Sequence, residues 1–224
     1  MSLILNIDTA TPSASICLAE SGVEVAICNN DNQQDHASWL HTAIERMIAG
    51  SNYQLKDLEA VGLSAGPGSY TGLRVGMAAA KGLCYALKIP LITENTLLMM
   101  AFAATLQIDD LSVLFCPMID ARRMEVFTAL YQHDLREIVA PSAIILDEGA
   151  FAAHLQQHRI VFFGSGSEKW QKANKNVHAL FPKIKADAAD LAVLVQQKFM
   201  AKKFTDIAYC EPVYIKEFYT HPLK

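Results

Sequence analysis

The run Ala60-Val-Gly-Leu-Ser-Ala-Gly-Pro-Gly-Ser-Tyr-Thr-Gly-Leu-Arg-Val-Gly76, continuing from Met77 to Lys88, decides how the chain is read. It is a short apolar strand, a glycine-rich turn and a helix of Gly, Ala and aliphatic residues. Gly66 and Gly68 flank Pro67, so no helix can begin before about Ser69. Ser69 and Thr71 are both N-cap candidates. A glycine turn feeding a helix N-terminus leaves backbone N–H groups pointing outward, which is the layout of an anion site. From Gly72 to Leu87 the clearly charged side chains are Arg74 and Lys81, while Gly72, Gly76, Ala78, Ala79, Ala80 and Gly82 are small. A helix that is apolar or small all round is buried on more than one side.

The remaining chain sets the frame. Its 224 residues are 52% hydrophobic and 19% charged, the composition of a compact globular chain with ample core material. A net charge of −4 and a pI near 6.0 argue against autonomous nucleic-acid binding. The charge-free run around Thr96 to Ile108 is too short for a membrane span. The N-terminus has no basic region before Asp8, so no signal peptide is expected. The five cysteines are scattered without a C-x-x-C, which points to reduced core thiols and a cytoplasmic protein.

Taken in order, Leu3 to Asp8, Ser13 to Ala19 and Val23 to Cys28 read as strands, the last two joined at Glu20-Ser21-Gly22. A polar stretch from Asn29 to Asp35 leads to a helix over His36–Ala49, with Leu40, Ile44, Met47 and Ile48 on one face and Gly50 ending it. After the opening stretch come a short strand at Leu91 to Thr93 and a helix from Asn95 to Thr105. Val113 to Asp120 and Met124 to Tyr131 pair across Ala121-Arg122-Arg123, and Ile144 and Ile145 lie in a third extended segment. Asp147 to Gln156 reads as a helix, Ile160 to Phe163 as a strand, and Lys169 to Asn176 as a polar stretch. Asp187 caps a last helix through Lys203, and the tail from Glu211 is extended. Similar element order in both parts predicts two related units, 1–105 and 106–224, with the last helix and tail returning to the first.

Several chemistries can be weighed on spacing. Gly62-Leu-Ser64-Ala-Gly66 matches a nucleophile elbow, but Pro67 and Gly68 stand where the helix should begin, so Ser64 ends a strand. Gly66-x-Gly68-x-x-x-Gly72 is one residue too long for a dinucleotide fingerprint, and no Lys-Ser/Thr follows for a phosphate loop. An anion cradle over Gly66, Gly68, Ser69 and Thr71, with Arg74 adding charge, and close helix packing use the same glycines; these residues alone leave both open. Asp8, Thr9 and Thr11 cluster at a strand end in the manner of a metal-bound phosphate site, yet Ala10 and Pro12 replace the expected glycine, favouring a capped turn. His36 and His41 are five apart, which on a helix leaves their rings about 140° apart. His133, His154, His158, His178 and His221 show no ligand spacing, so no metal is expected.

Together, Asp8-Thr-Ala-Thr, Gly66-Pro-Gly-Ser-Tyr-Thr-Gly-Leu-Arg-Val-Gly, Ala80-Lys-Gly-Leu, Asp120-Ala-Arg-Arg-Met-Glu-Val and Pro212-Val-Tyr-Ile-Lys resemble the TsaB (YeaZ) family over essentially the whole chain. The glycine run is its most specific motif. The resemblance implies two like-folded α/β units of the actin, sugar-kinase and heat-shock ATPase type. It implies a non-catalytic subunit in forming N6-threonylcarbamoyladenosine beside the anticodon of tRNAs that read codons beginning with A. It further implies binding to a TsaD-like catalytic subunit, with a TsaE-like ATPase joining, tRNA held indirectly, no cofactor, and a homodimer through the same helices. The surface so implied comprises His36, Trp39, Leu40, Ala43, Gly72, Arg74, Val75, Gly76, Ala79, Ala80, Lys81 and Leu83, and the anion site with Asp8 and Thr9 becomes vestigial. Gly164-Ser-Gly-Ser reads as a remnant nucleotide loop or as a plain glycine turn.

Overall fold

A computed structural model describes residues 1–32 and 36–216; Asp35 and His221 lie outside them. The first unit opens with three antiparallel strands, β1 (Leu3–Asp8), β2 (Ala14–Glu20) and β3 (Val23–Asn30). Glu20 pairs directly with Val23, and Ser21 and Gly22 take left-handed conformations (φ 51° and 81°), as a two-residue hairpin turn requires. Helix α1 (His36–Ala49) leads to β4 (Ala60–Ser64), helix α2 (Tyr70–Leu87), strand β5 (Leu91–Glu94) and helix α3 (Thr96–Gln107). The strands order as β3-β2-β1-β4-β5, with β4 and β5 parallel to β1.

The second unit repeats this path. It contains β6 (Leu114–Asp120), β7 (Glu125–Tyr131), β8 (Glu137–Ile145), α4 (Ala152–Leu155), β9 (Ile160–Phe163), α5 (Ser167–Ala173), β10 (Ala179–Leu180) and α6 (Ala188–Met200). Its sheet orders as β10-β9-β6-β7-β8, the same topology read in the other direction. The fold is thus α/β, two like-folded units of the actin, sugar-kinase and heat-shock ATPase type. Each unit's last helix crosses over. Helix α3 packs on β6 and β7, α6 packs across all five strands of the first sheet, and the two helices touch. Ile4, Ile92, Leu97 and Met100 thereby share one core with Phe115, Phe163, Leu191 and Val195. Among the described residues no helix is long and apolar enough to cross a membrane.

Three local expectations change. The helix expected over 147–156 shrinks to Ala152–Leu155, because Asp147 Oδ1 accepts from the Gly149 N–H and makes a turn, and Phe151 is left-handed (φ 61°). The polar stretch from Lys169 contains a helix, α5, held down by the buried Trp170. Gly50 does end α1, donating to Arg46 O, but it is not among the left-handed glycines, so no left-handed cap forms.

Candidate functional site

The turn after β1 is clamped against the first two turns of α2. Thr9 Oγ1 donates to Gly72 O at 2.8 Å, and Ser69 N donates to Ala10 O at 2.7 Å. A Cβ added at Gly68 would collide with the Ala10 carbonyl, one at Gly72 with the Thr9 carbonyl, and one at Gly76 with Thr9 Oγ1. Gly66 has φ 116°, and its missing Cβ would lie 2.7 Å from Val213 O. The glycine run is therefore explained by internal close approach, with backbone meeting backbone at three places.

That packing accounts for the glycines that the sequence left open between an anion cradle and close helix packing, while Gly68, Ser69 and Thr71 still line the cleft between the units. Ser69 caps α2 by accepting from Gly72 N–H, whereas Thr71 sits exposed inside the first turn and caps nothing. Asp8 is buried, and its Oδ1 accepts from the Ala10 N–H and from the Ser64 hydroxyl. Burial pushes the Asp8 carboxyl above its usual range despite both bonds. Asp8 and Thr9 consequently point into the protein. Ser64 is fully buried with its hydroxyl spent on Asp8, so it cannot act as a nucleophile on an incoming substrate. His36 is buried with Nε2 3.3 Å from Thr11 O, and His41 is exposed. Among the described residues no group of three His, Cys, Asp or Glu could hold a metal. Burial pushes the Cys17, Cys84 and Cys116 thiols up to about 12, leaving them chemically quiet.

A cleft of about 540 Å³ separates the units, lined by Pro12, Ser69, Thr71, Arg122, Phe127 and Ser165 among others. The Asp120-Ala-Arg-Arg motif forms its far lip. Arg122 and Arg123 are consecutive left-handed residues (φ 71° and 48°) in the β6–β7 turn. Lys169 holds this turn, its Nζ lying 2.6 Å from Asp120 Oδ1, 2.8 Å from Arg123 O and 2.6 Å from Glu125 O. Partial burial would raise the Asp120 carboxyl, but the bonds from Lys169 and the Arg122 N–H outweigh it and hold it below its usual range. Gly164-Ser-Gly-Ser braces the same turn: Ser165 Oγ accepts from Asp120 N–H, and Gly166 N–H donates to Met118 O. Lys169 had no sequence signal, because it lies 49 residues from the carboxylate it pairs with.

The outer face of the first unit is made by α1 and α2. Leu73, Gly76, Met77, Ala80 and Cys84 turn inward, so Thr71, Arg74, Ala78, Gly82 and Tyr85 line the outer side. A Cβ at Gly82 would meet nothing within 4 Å, and Tyr85 is 83% exposed. A groove of about 380 Å³ runs between the helices, lined by His41, Ile44, Glu45, Ile48, Leu55 and Leu83. Of the surface residues predicted from sequence, Arg74 is exposed and Trp39, Val75, Lys81 and Leu83 are half-buried. His36, Leu40, Ala43, Gly72, Gly76, Ala79 and Ala80 are buried within the chain and are corrected to supports beneath this face, since they pack on the first sheet and the β1 turn.

The tail after α6 lies on the first unit, and the particular contacts it makes there carry no sequence signal. Val213 N donates to Ala65 O at 2.7 Å, which seats the tail on the glycine turn. Arg74 Nε donates to Tyr214 OH at 3.1 Å and its guanidinium lies 3.9 Å from the Tyr70 ring centre; the Tyr70 and Tyr214 rings are 5.4 Å apart. Lys81 Nζ donates to Cys210 O at 3.1 Å. Lys216 Nζ reaches Glu125 Oε2 of the second unit at 2.5 Å. Arg74 and Lys81 are thus engaged by the chain's own tail.

The fold and motifs can be set beside known proteins. A family model described as TsaD, tRNA N6-adenosine threonylcarbamoyltransferase, matches residues 27–212. An Escherichia coli (strain K12) protein described as tRNA threonylcarbamoyladenosine biosynthesis protein TsaB is 30% identical, over 95% of this chain and 94% of the relative. The chain belongs to the TsaB (YeaZ) family. A TsaB of the same description from Bacillus subtilis (strain 168) is 29% identical over 72% of this chain and 70% of its own length. In fold, YeaZ from Pseudomonas aeruginosa superposes with a TM-score of 0.79 at 22% identity, covering 96% of this chain and 100% of that one. The shared TsaB architecture therefore spans both units and the crossing helices, not the glycine motif alone.

Proposed function

We propose that this chain is a non-catalytic subunit in the synthesis of N6-threonylcarbamoyladenosine in tRNA, and that it binds a TsaD-type catalytic subunit through the face built by α1 and α2. The observation that carries the reading is the outer side of α2. Its centre is Gly82, whose outward space is open, with the exposed Ala78 one turn before it and the apolar α1–α2 groove alongside. Small side chains let the backbone of a partner helix approach closely, and Tyr85 offers a large exposed anchor. The names of the curated relatives support the pathway, and the TsaD family model supports kinship with the catalytic subunit.

The chemistry of the cleft favours a supporting role. Asp8 and Ser64 are bonded to each other out of reach, and Asp120 is held by Lys169, so neither of these two carboxylates stands ready for a metal-bound phosphate. A homodimer through the same face would compete with the catalytic subunit, and a TsaE-type ATPase would join the assembled pair. The test is complementation of a bacterium depleted of its own TsaB, scored by the modified nucleoside in its tRNA. The wild-type chain restores the nucleoside and Gly82→Arg does not. Failure of the wild-type chain to restore it, although it associates with that bacterium's catalytic subunit, would overturn the reading.

A further inference from the structure

Charge is unevenly distributed along the chain. Between Gly149 and Ala186 six Lys and Arg stand against one acidic residue, Glu168, a net +5. The rest carries thirteen Lys and Arg against twenty-two Asp and Glu, a net −9. The whole-chain charge of −4 conceals this separation.

Part of that stretch lies at one corner of the second unit, its β9–β10 edge, where α5 packs on β6 and β9, its following loop leads into β10, and β10 pairs with β9. Trp170 is buried beneath α5, and Lys172 lies exposed two residues further along the helix. Two successive turns shape the loop: Asn174 Oδ1 accepts from Asn176 N–H, and Asn176 Oδ1 accepts from His178 N–H. Lys175 and Val177 between them are exposed. Ile160 N–H donates to His178 O, so the corner continues onto the start of β9. Beyond β10, Lys183 is exposed as well. The stretch's other cations are engaged: Arg159 with Asp110, Lys169 with Asp120 and Lys185 with Asp187. Among the described residues, Lys172, Lys175 and Lys183 have no ion-pair partner.

We propose that this corner, centred on Lys172, Lys175 and Lys183, binds the phosphate backbone of RNA. The proposal rests on the reading above for its choice of tRNA as the RNA. A protein partner is the poorer fit, since protein interfaces carry an apolar centre and Val177 is the one exposed large apolar side chain of this stretch. Lysines interleaved with Gln171, Asn174 and Asn176 suit phosphate and sugar contacts, which position RNA without reading its sequence.

The experiment titrates a fluorescein-labelled tRNA with the full-length chain, alone and assembled with the TsaD-type subunit, between 50 and 200 mM salt. Reversal of all three lysines (K172E, K175E, K183E) should weaken binding by about tenfold or more at the low end and flatten the salt dependence, by about 0.7–0.9 in slope per lost contact. Reversal of Lys56 and Lys88, on the first unit, serves as control and should change neither. The reading itself is checked separately by titrating the TsaD-type subunit, which the triple variant should bind as the wild type does. Unchanged RNA affinity and slope would overturn the proposal, leaving the lysines as guards of the β10 edge. Loss of subunit or ATPase association with RNA affinity intact would overturn it in favour of a protein interface.

Discussion

Helices α2 and α5 occupy the same place in the repeat, between the fourth and fifth strands of their sheets, yet they solve the same problem differently. Helix α5 has 7 residues and α4 before it has 4. They suffice because aromatic side chains cover the second sheet: Phe162 packs 5.2 Å from Phe151 and 6.3 Å from Trp170, and stacks on Phe181 at 5.5 Å. Helix α2 has 18 residues and α1 has 14, and they cover the first sheet with small and medium side chains. A large ring buries much area per residue, so few residues are needed. Small residues bury little, so α2 is long, and its length leaves an outer side that the chain's own core does not use. The unit with the weaker covering side chains is the one left with a face to offer.

This contrast can be broken at either end. Trp170→Ala should cost the most, about 3–5 kcal/mol, because the aromatic cluster cannot refill the space; urea unfolding measures it. A loss under about 1 kcal/mol would mean that α5 does not depend on its anchor. Gly72→Ala comes next, at about 1–3 kcal/mol, because its new Cβ meets the Thr9 carbonyl, which can move only with the backbone. Ser69→Ala removes the α2 cap and should cost about 1 kcal/mol in the same assay. Gly82→Ala has the opposite sign, a gain of about 0.5–1 kcal/mol, because its position is open and alanine is the better helix former. A loss at Gly82 would contradict the outward assignment of this stripe.

Helix α6, which spans the first sheet from the second unit, adds a pH dependence. Burial first, and then the neighbouring Asp187 carboxylate, raise Asp190 to about 6. The folded chain therefore holds a proton there that the unfolded chain, near 3.8, has released. Its contribution is fully present below about 3.8 and is lost as pH rises through about 6. Melting temperatures taken across that window should show a downward component with rising pH that is absent in Asp190→Asn.

Much of this was legible in the sequence, and what was not has physical causes. The strand–turn–helix at Ala60–Leu87 was readable because glycine, proline and cap residues act locally. The repeat was readable as element order, although its residues do not match, because topology tolerates substitution of almost every side chain. Helix α5 was missed because a single buried Trp170 among polar residues gives no periodic signal. The face was half legible: the helix was found, but which of its small residues point outward depends on the β1 turn lying against Gly72 and Gly76. The bonds from Arg74 to Tyr214 and from Lys81 to Cys210 span more than a hundred residues and leave no local pattern. The cationic corner was hidden by averaging charge over the whole chain.

The central claim is that the outer side of α2, around Gly82, receives the catalytic subunit. Calorimetric titration of the TsaD-type subunit into wild-type chain and into Gly82→Arg tests it most directly. The account predicts that the variant melts no lower than wild type, since arginine is the better helix former at an open position, yet shows no measurable association. A folded Gly82→Arg chain that bound the catalytic subunit with unchanged affinity would contradict it.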